Sequence, residues 1–119
     1  MSIRSTSISR LPDGLPLAAS VDDAQAETDL AEYKRQIKLI IRKLTPTSEP
    51  RASIESGPYY IHYLVENNIC YTVITDRSLP RKVAFGYMQD LASEFYSQFA
   101  QEMENPRLRA YAFVQFGTI

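Results

Sequence analysis

His62 and Cys70 are the only histidine and the only cysteine of the sequence, and these residue types could form a base–nucleophile pair. A thiolate activated by a neighbouring imidazole is a common nucleophile in covalent catalysis. One histidine and one cysteine cannot supply the four ligands of the usual Cys/His zinc site. Asp22-Asp23 could hold a metal, but two acidic residues before a helix more often solvate a loop and favour the helix dipole. We therefore predict neither a metal site nor a cofactor.

The spacing of His62 and Cys70 argues against a catalytic pair. Asn67-Asn68 separates two segments rich in aromatic and β-branched residues, and asparagine tolerates the left-handed backbone of a two-residue hairpin turn. With that turn, Val65 pairs with Cys70, and strand alternation places Cys70 and His62 on opposite faces of the sheet. We expect a core thiol and a half-buried strand histidine that cannot share a proton.

The motifs and the charge balance of the sequence argue against several further classes of function. The sequence has no GxGxxG, P-loop, GxSxG or HExxH pattern, so no enzyme class is indicated. Its 13 basic and 14 acidic residues give a net charge of −1, which argues against nucleic acid as a partner. The first helix is locally basic, which predicts a solvated face or, as an alternative, contact with an acidic partner or lipid headgroups. Its basic residues are Lys34, Arg35, Lys38, Arg42 and Lys43.

The 119 residues fit one domain, and 45% apolar with 23% charged residues is typical of a packed globular chain. A single cysteine suits a reducing compartment. No apolar run approaches the roughly 20 residues of a membrane helix, and residues 1–6 lack the apolar core of a secretory signal. We expect a soluble domain, residues 1–119, that faces the cytosol.

The first half of the chain predicts a hairpin followed by a helix. Strands are expected at Ile3–Leu11 and Leu15–Val21, joined by a tight turn at Pro12-Asp13-Gly14. Thr28–Leu44 is the first helix, with Thr28 as N-cap. Its apolar residues recur at spacings of three and four, which predicts a buried stripe of Leu30, Tyr33, Ile37, Ile40, Ile41 and Leu44.

The second half predicts three strands and a long helix. Strands are expected at Arg51–Ser56, Tyr59–Glu66 and Ile69–Thr75. Pro80 opens a helix that runs from Arg81 to about Met103, with Ser78 or Leu79 as its cap. Tyr111–Phe116 is apolar and aromatic. Because most connections are hairpins, the order of elements favours an α+β fold with a mainly antiparallel sheet.

An ordered set of short segments resembles one known family. The segments are Asp13–Ala18, Glu55–Gly57, His62-Tyr63, Pro80–Phe85, Asp90-Leu91, Glu94-Phe95 and Arg109–Phe116. Together they resemble the longin domain of the R-SNARE family that cycles between endoplasmic reticulum and Golgi. The resemblance implies a profilin-like longin fold, with a five-stranded sheet and helices on both of its faces.

The same resemblance implies a function. Such a domain regulates and sorts its SNARE by binding its own SNARE segment, folded back, in a groove between the first helix and the third strand. The folded-back form is selected by the COPII coat; other SNAREs and tethering factors are further partners. The implied location is the cytosolic face of endoplasmic reticulum, Golgi and transport vesicles. SNARE heptads and a C-terminal membrane anchor do not occur in the 119 residues. Membrane contact is therefore expected only through that missing anchor.

Candidate groove residues follow from the expected helix stripe and third strand. Tyr33, Ile37 and Ile40 are candidates on the helix, and Ala52 and Ile54 on the strand. The strand is short and weakly alternating, which suits a sheet edge that accepts another extended segment. Ordinary core packing is an equally good interpretation of Ile40 and Ile54. Two other functions stay open, a longin-fold coat or adaptor subunit and a platform for a small GTPase.

Overall fold

The computed structural model describes residues 3–11, 13–19, 24–45 and 47–101. Within these residues the chain forms five strands and two helices, in the order β1 (Ile3–Arg10), β2 (Pro16–Ala19), α1 (Ala24–Lys43), β3 (Arg51–Ser56), β4 (Tyr59–Glu66), β5 (Ile69–Asp76) and α2 (Arg81–Phe99). The strands form one sheet in the order β2-β1-β5-β4-β3, and all neighbouring strands are antiparallel. The predicted α+β class with a five-stranded sheet is confirmed.

The β4–β5 hairpin lies at the centre of the sheet, with the register that the sequence predicts. Asn67 and Asn68 have φ values of 57° and 60°, the left-handed backbone of a two-residue turn. Val65 pairs with Cys70, and His62 pairs with Val73. The expected placement of His62 and Cys70 on opposite faces follows from this register.

The two helices cover opposite faces of the sheet. On one face α2 contributes Met88, Leu91, Ala92 and Phe95 to a cluster with Tyr71, Val73 and Leu64. On the other face α1 contributes Leu30, Ile37 and Ile41 to a cluster with Ile61, Cys70 and Ile74. The predicted apolar stripes of both helices therefore point to the sheet, and Leu39, which lies outside the first stripe, is 43% exposed.

The ends of both helices differ from the sequence prediction. Helix α1 begins at Ala24, one turn earlier than expected, so Thr28 lies within the helix and is not its N-cap. The preceding Ala-Gln-Ala-Glu segment is a strong helix former, which explains the extension. In α2 the N-cap is Pro80 and no side chain caps it, so neither Ser78 nor Leu79 serves as the cap. That helix ends at Phe99.

Several strand ends also differ, and some predictions lie outside the described residues. Strand β1 ends at Arg10, one residue earlier than expected, and β2 spans only Pro16–Ala19. Strand β5 continues to Asp76. The predictions for Pro12, Val21, Asp22-Asp23, Met103 and Tyr111–Phe116 fall outside the described residues.

Candidate partner-binding surface

His62 is fully buried on the α2 face and takes part in a hydrogen-bonded group with two hydroxyls. Its Nδ1 lies 2.7 Å from Ser53 Oγ, and its Nε2 lies 3.3 Å from Thr75 Oγ1. The Phe85 ring packs edge-on at 5.5 Å and Tyr60 lies at 5.3 Å. Burial, with a smaller effect of the Arg81 charge, lowers the pKa of His62 from 6.5 to about 4. The neutral imidazole is held in the core and has no exposed surface for a substrate.

The expected side of the sheet for His62 is confirmed, but the side chain is fully buried and not half-buried as the sequence predicts, and its hydroxyl partners were not predicted. Ser53 is directly opposite His62 in the β3–β4 register. On β5, Thr75 lies two residues after Val73, which pairs with His62. The register of β3 against β4 would have identified Ser53, but no tight turn pattern defined that register in the sequence, because Gly57-Pro58 allows several turn lengths.

Cys70 is buried within the cluster on the α1 face. Burial raises the pKa of its thiol to about 12, so the thiolate needed for nucleophilic attack is not formed near neutral pH. His62 and Cys70 are separated by the sheet and do not form a base–nucleophile pair. No group of three or more histidine, cysteine or carboxylate side chains that could hold a metal ion occurs within the described ranges.

The five candidate groove residues all belong to one cluster on the α1 face. Ile37 is buried in it, and the other four, Tyr33, Ile40, Ala52 and Ile54, are partly buried against it. Strand β3 is an edge of the sheet, as its weak alternation predicted, so its outer side has no strand neighbour among the described residues. The structure thus brings the helix and strand candidates together at one margin of the sheet.

At the end of β3, contacts between α1 and the β3–β4 turn close this margin of the sheet. The Tyr33 ring packs edge-on against Tyr59 at 4.9 Å. Ser56 Oγ donates a hydrogen bond of 2.8 Å to Gln36 Oε1. Gly57 adopts a φ of +56°, and a Cβ added there would lie 2.6 Å from Tyr33 Oη. Side chains therefore fix α1 against the end of β3, a set of contacts that the sequence alone did not reveal.

From that closed end, α1 runs antiparallel to β3. Further along the helix, Ile41 lies close to Gly14, because its Cγ2 would be 3.5 Å from a Cβ added there. Gly14 lies at the end of the sheet where β3 begins. One helical turn from Gln36 to Ile40 spans about 6 Å, and two strand residues from Ser56 to Ile54 span about 6.6 Å. Ile40 is therefore level with Ile54, and the half-buried apolar side chains lie along one margin of the sheet between Tyr33 and Ala52. We call this surface the α1–β3 groove.

The described helices are compared with the requirements of a membrane span. Neither α1 nor α2 is long and apolar enough to cross a membrane, and this finding covers residues 24–43 and 81–99. Outside the two sheet-facing stripes, both helices carry mainly charged and polar side chains, with Leu39, Val83 and Tyr96 as exposed exceptions.

Comparison with known proteins gives the family. Residues 17–119 match the longin family model, described as a regulated-SNARE-like domain. The protein transport protein sec22 of Schizosaccharomyces pombe is 57% identical over 116 residues, 98% of this chain and 54% of that protein. Protein transport protein SEC22 of Saccharomyces cerevisiae is 44% identical over 96% of this chain and 52% of its own length.

A vertebrate relative extends the same similarity. The vesicle-trafficking protein SEC22b-B of Danio rerio is 41% identical over 114 residues, 95% of this chain and 53% of that protein. This chain spans about half the length of the curated relatives it matches. The match covers the helix, the edge strand and the central hairpin described above. The chain belongs to the longin family of regulated-SNARE-like domains.

Proposed function

We propose that this domain is the regulatory and sorting domain of an R-SNARE in transport between endoplasmic reticulum and Golgi. In this role it is a binding module and not an enzyme. The support comes from the relatives, which are named as protein transport and vesicle-trafficking proteins at 41–57% identity over nearly the whole of this chain. The same relatives favour a SNARE domain over a coat subunit or a small-GTPase platform.

The proposed ligand of the α1–β3 groove is the R-SNARE's own SNARE segment, folded back on the domain. The observation that carries this proposal is the row of half-buried apolar side chains Tyr33, Ile40, Ala52 and Ile54 beside a sheet edge that has no strand neighbour in the described part of the chain. Covering apolar surface stabilises by about 25 cal/mol per Å². A peptide that lies along β3 gains main-chain hydrogen bonds from the edge and places alternate side chains in the groove.

The wider partners and the location follow from the same proposal. A domain with its segment folded back presents one composite surface, which the COPII coat would select, whereas the released segment would pair with other SNAREs. Tethering factors are a further class of partner. The domain would act on the cytosolic face of endoplasmic reticulum, Golgi and vesicle membranes, with membrane contact only through a C-terminal anchor of the R-SNARE.

The proposal is tested by adding a synthetic peptide with the sequence of the SNARE segment of the Schizosaccharomyces pombe relative to the ¹⁵N-labelled domain. Amide shifts are expected in the second half of α1 and along β3. Perturbations confined to α2, or none at saturating peptide, would contradict the α1–β3 groove.

A matched pair of variants separates binding from folding. Ala52→Glu puts a charge into the groove on the edge strand, and we expect it to weaken peptide binding at least tenfold. Val83→Glu adds the same charge at a 53% exposed position of α2 and should leave affinity unchanged. Thermal midpoints measured for both variants control for unfolding. Equal affinities for the two folded variants would refute the assignment of the groove.

A further inference from the structure

A second cleft lies on the opposite flank of α1, between this helix and the first two strands. It has a volume of about 660 Å³. One wall is formed by α1, with Ile37 and Ile41 at its base, and the other wall by Pro16 and Ala18 of β2. This cleft is separated from the α1–β3 groove by the width of the helix. The only candidate groove residue that also lines it is Ile37.

The floor of the cleft is made of hydroxyl groups from the centre of the sheet. Strand alternation directs Ser7 and Ser9 of β1 to the α1 face, while Ile8 between them points into the α2 cluster. Thr72 of β5 lies beside Ser7, and their hydroxyls are hydrogen-bonded to each other. Helix α1 packs over the apolar residues of β4 and β5, and the cleft lies over β1, where Ser9 and Thr72 are nearly buried, at 7% and 1% exposure, and Ser7 is half-buried.

The α1 wall carries a row of cations. Lys34, Lys38 and Arg42 follow each other at intervals of four residues, so they line one side of the helix over about 12 Å. Among the described lining residues, Asp13 is the only acidic one, and its carboxylate is paired with the Arg10 guanidinium at 2.6 Å. Counted over the described lining residues, the charge of the cleft is therefore positive, in a chain whose net charge is −1.

We propose that this cleft binds an acidic peptide segment in an extended conformation. Carboxylates of the peptide pair with Lys38 and Arg42, and the half-buried Ser7 hydroxyl hydrogen-bonds one of its polar groups. An apolar side chain between the carboxylates packs on Ile37 at the base of the helix wall. The shape favours a peptide over a bilayer, because a flat anionic surface would reach the rim of the helix but not the hydroxyl floor. This site is distinct from the α1–β3 groove and does not depend on it.

The test uses the 119-residue chain and a fluorescein-labelled twelve-residue peptide in which glutamate alternates with leucine and serine. Fluorescence anisotropy gives the affinity, and amide shifts of the ¹⁵N-labelled domain map the site. We expect shifts at Ser7, Thr72 and Lys38, and affinity that falls severalfold when salt rises from about 50 to about 300 mM, since exposed charges are screened. A peptide with glutamine in place of glutamate should bind at least tenfold more weakly.

Two charge-reversed variants decide the location. K38E/R42E should weaken binding of the glutamate peptide at least tenfold, and the neutral K38Q/R42Q should give an intermediate loss while keeping the thermal midpoint. The matched control R81E/K82E makes the same change in net charge at the start of α2, on the other face of the sheet, and should change affinity less than twofold. Equal losses in the two reversed variants would refute the site, because they would report net charge alone.

Two further outcomes would also overturn the proposal. Shifts along β3 instead of β1 would assign the peptide to the α1–β3 groove. Binding to phosphatidylserine vesicles that K38E/R42E abolishes, combined with no measurable binding of the glutamate peptide at about 1 mM, would assign the cationic row to a membrane surface instead of a peptide.

Discussion

The two faces of the sheet are packed to different degrees. Among the described residues, the cluster under α2 has 11 buried members and 5 partly buried ones, whereas the cluster under α1 has 7 buried and 8 partly buried. The α2 face contains the fully buried Phe95 and Met88. The α1 face leaves apolar atoms at both sides of the helix accessible. The comparison separates a face whose apolar side chains are mostly buried from a face whose apolar side chains stay partly accessible.

The largest expected effect tests the α2 face. Phe95 is fully buried, edge-on to Tyr71 at 6.2 Å and beside Phe99 at 5.1 Å. Phe95→Ala should lower the free energy of unfolding by about 3–5 kcal/mol, as for buried aromatic residues in general. Urea denaturation measures the change. The neighbouring Tyr96→Ala, at a 39% exposed position, is the control and should cost less than about 1 kcal/mol. Equal costs would show that α2 does not anchor the sheet through Phe95.

The next effect concerns the buried histidine of the same face. The pKa of His62 is about 4 in the folded protein against 6.5 for an exposed imidazole. The unfolded chain therefore binds an extra proton between these values, so stability is full above pH 6.5 and falls as pH drops toward 4. The loss should reach roughly 3 kcal/mol.

Stability curves in urea at several pH values between 7 and 4 check this prediction. His62→Gln is less stable at pH 7, but it should lose less stability on acidification than the unmodified chain, because the group that titrates is gone. If the two chains show the same slope between pH 6.5 and 4.5, acid sensitivity comes from carboxylates and not from His62.

A smaller effect tests the junction that closes the α1–β3 groove. Gly57→Ala combines a left-handed φ of +56° with a Cβ that would lie 2.6 Å from Tyr33 Oη. We expect a loss of about 1–3 kcal/mol in thermal or urea denaturation. Gly86→Ala is the matched control, because it lies within α2 and the added Cβ would meet no atom within 4 Å beyond its chain neighbours and the backbone of its own helix, so it should stabilise by about 0.5–1 kcal/mol.

Tyr33→Phe tests the cause of that loss. Removing the hydroxyl relieves the close contact but not the strain in φ, so Gly57→Ala should cost less in the Tyr33→Phe background. The same cost in both backgrounds would show that backbone strain alone is responsible.

The smallest effect tests the α1 face. Ile40 is partly buried, so Ile40→Ala should cost about 1 kcal/mol, less than the 2–5 kcal/mol usual for a fully buried isoleucine. Leu39→Ala, at the neighbouring 43% exposed position, should have almost no effect on the thermal midpoint. A cost for Ile40→Ala as large as that for Phe95→Ala would remove the contrast between the two faces.

Local patterns were sufficient for most of the fold. Asn67-Asn68 determined the register of the central hairpin, because two asparagines in left-handed backbone leave no freedom in strand pairing. The spacing of apolar residues by three and four correctly predicted which side of each helix is buried against the sheet. The predicted start of α1 at Thr28 was wrong, because the helix-forming Ala-Gln-Ala-Glu segment outweighs the capping preference of Thr28.

The site was less predictable because it depends on tertiary contacts. The helix and strand candidates do meet in one cluster, but the contact of Gln36 with Ser56 and that of Tyr33 with Gly57 depend on how α1 crosses the sheet. The same holds for Ser53 beside His62. The basic residues of α1 were visible in the sequence, yet the hydroxyl floor opposite Lys38 required the pairing of β1 with β5.

The pairing of β1 with β5 also has a consequence for biosynthesis. The first hairpin leaves the ribosome early, but its neighbour in the sheet begins roughly 60 residues later. At about 5–20 residues per second, β1 waits roughly 3–12 s before β5 is available. During that interval Ile8 and Leu17, which are fully buried in the finished domain, have neither the central strand beside them nor α2 over them. Because α2 follows β5 in the chain, the nascent chain exposes these apolar strand residues to chaperones until that helix is made.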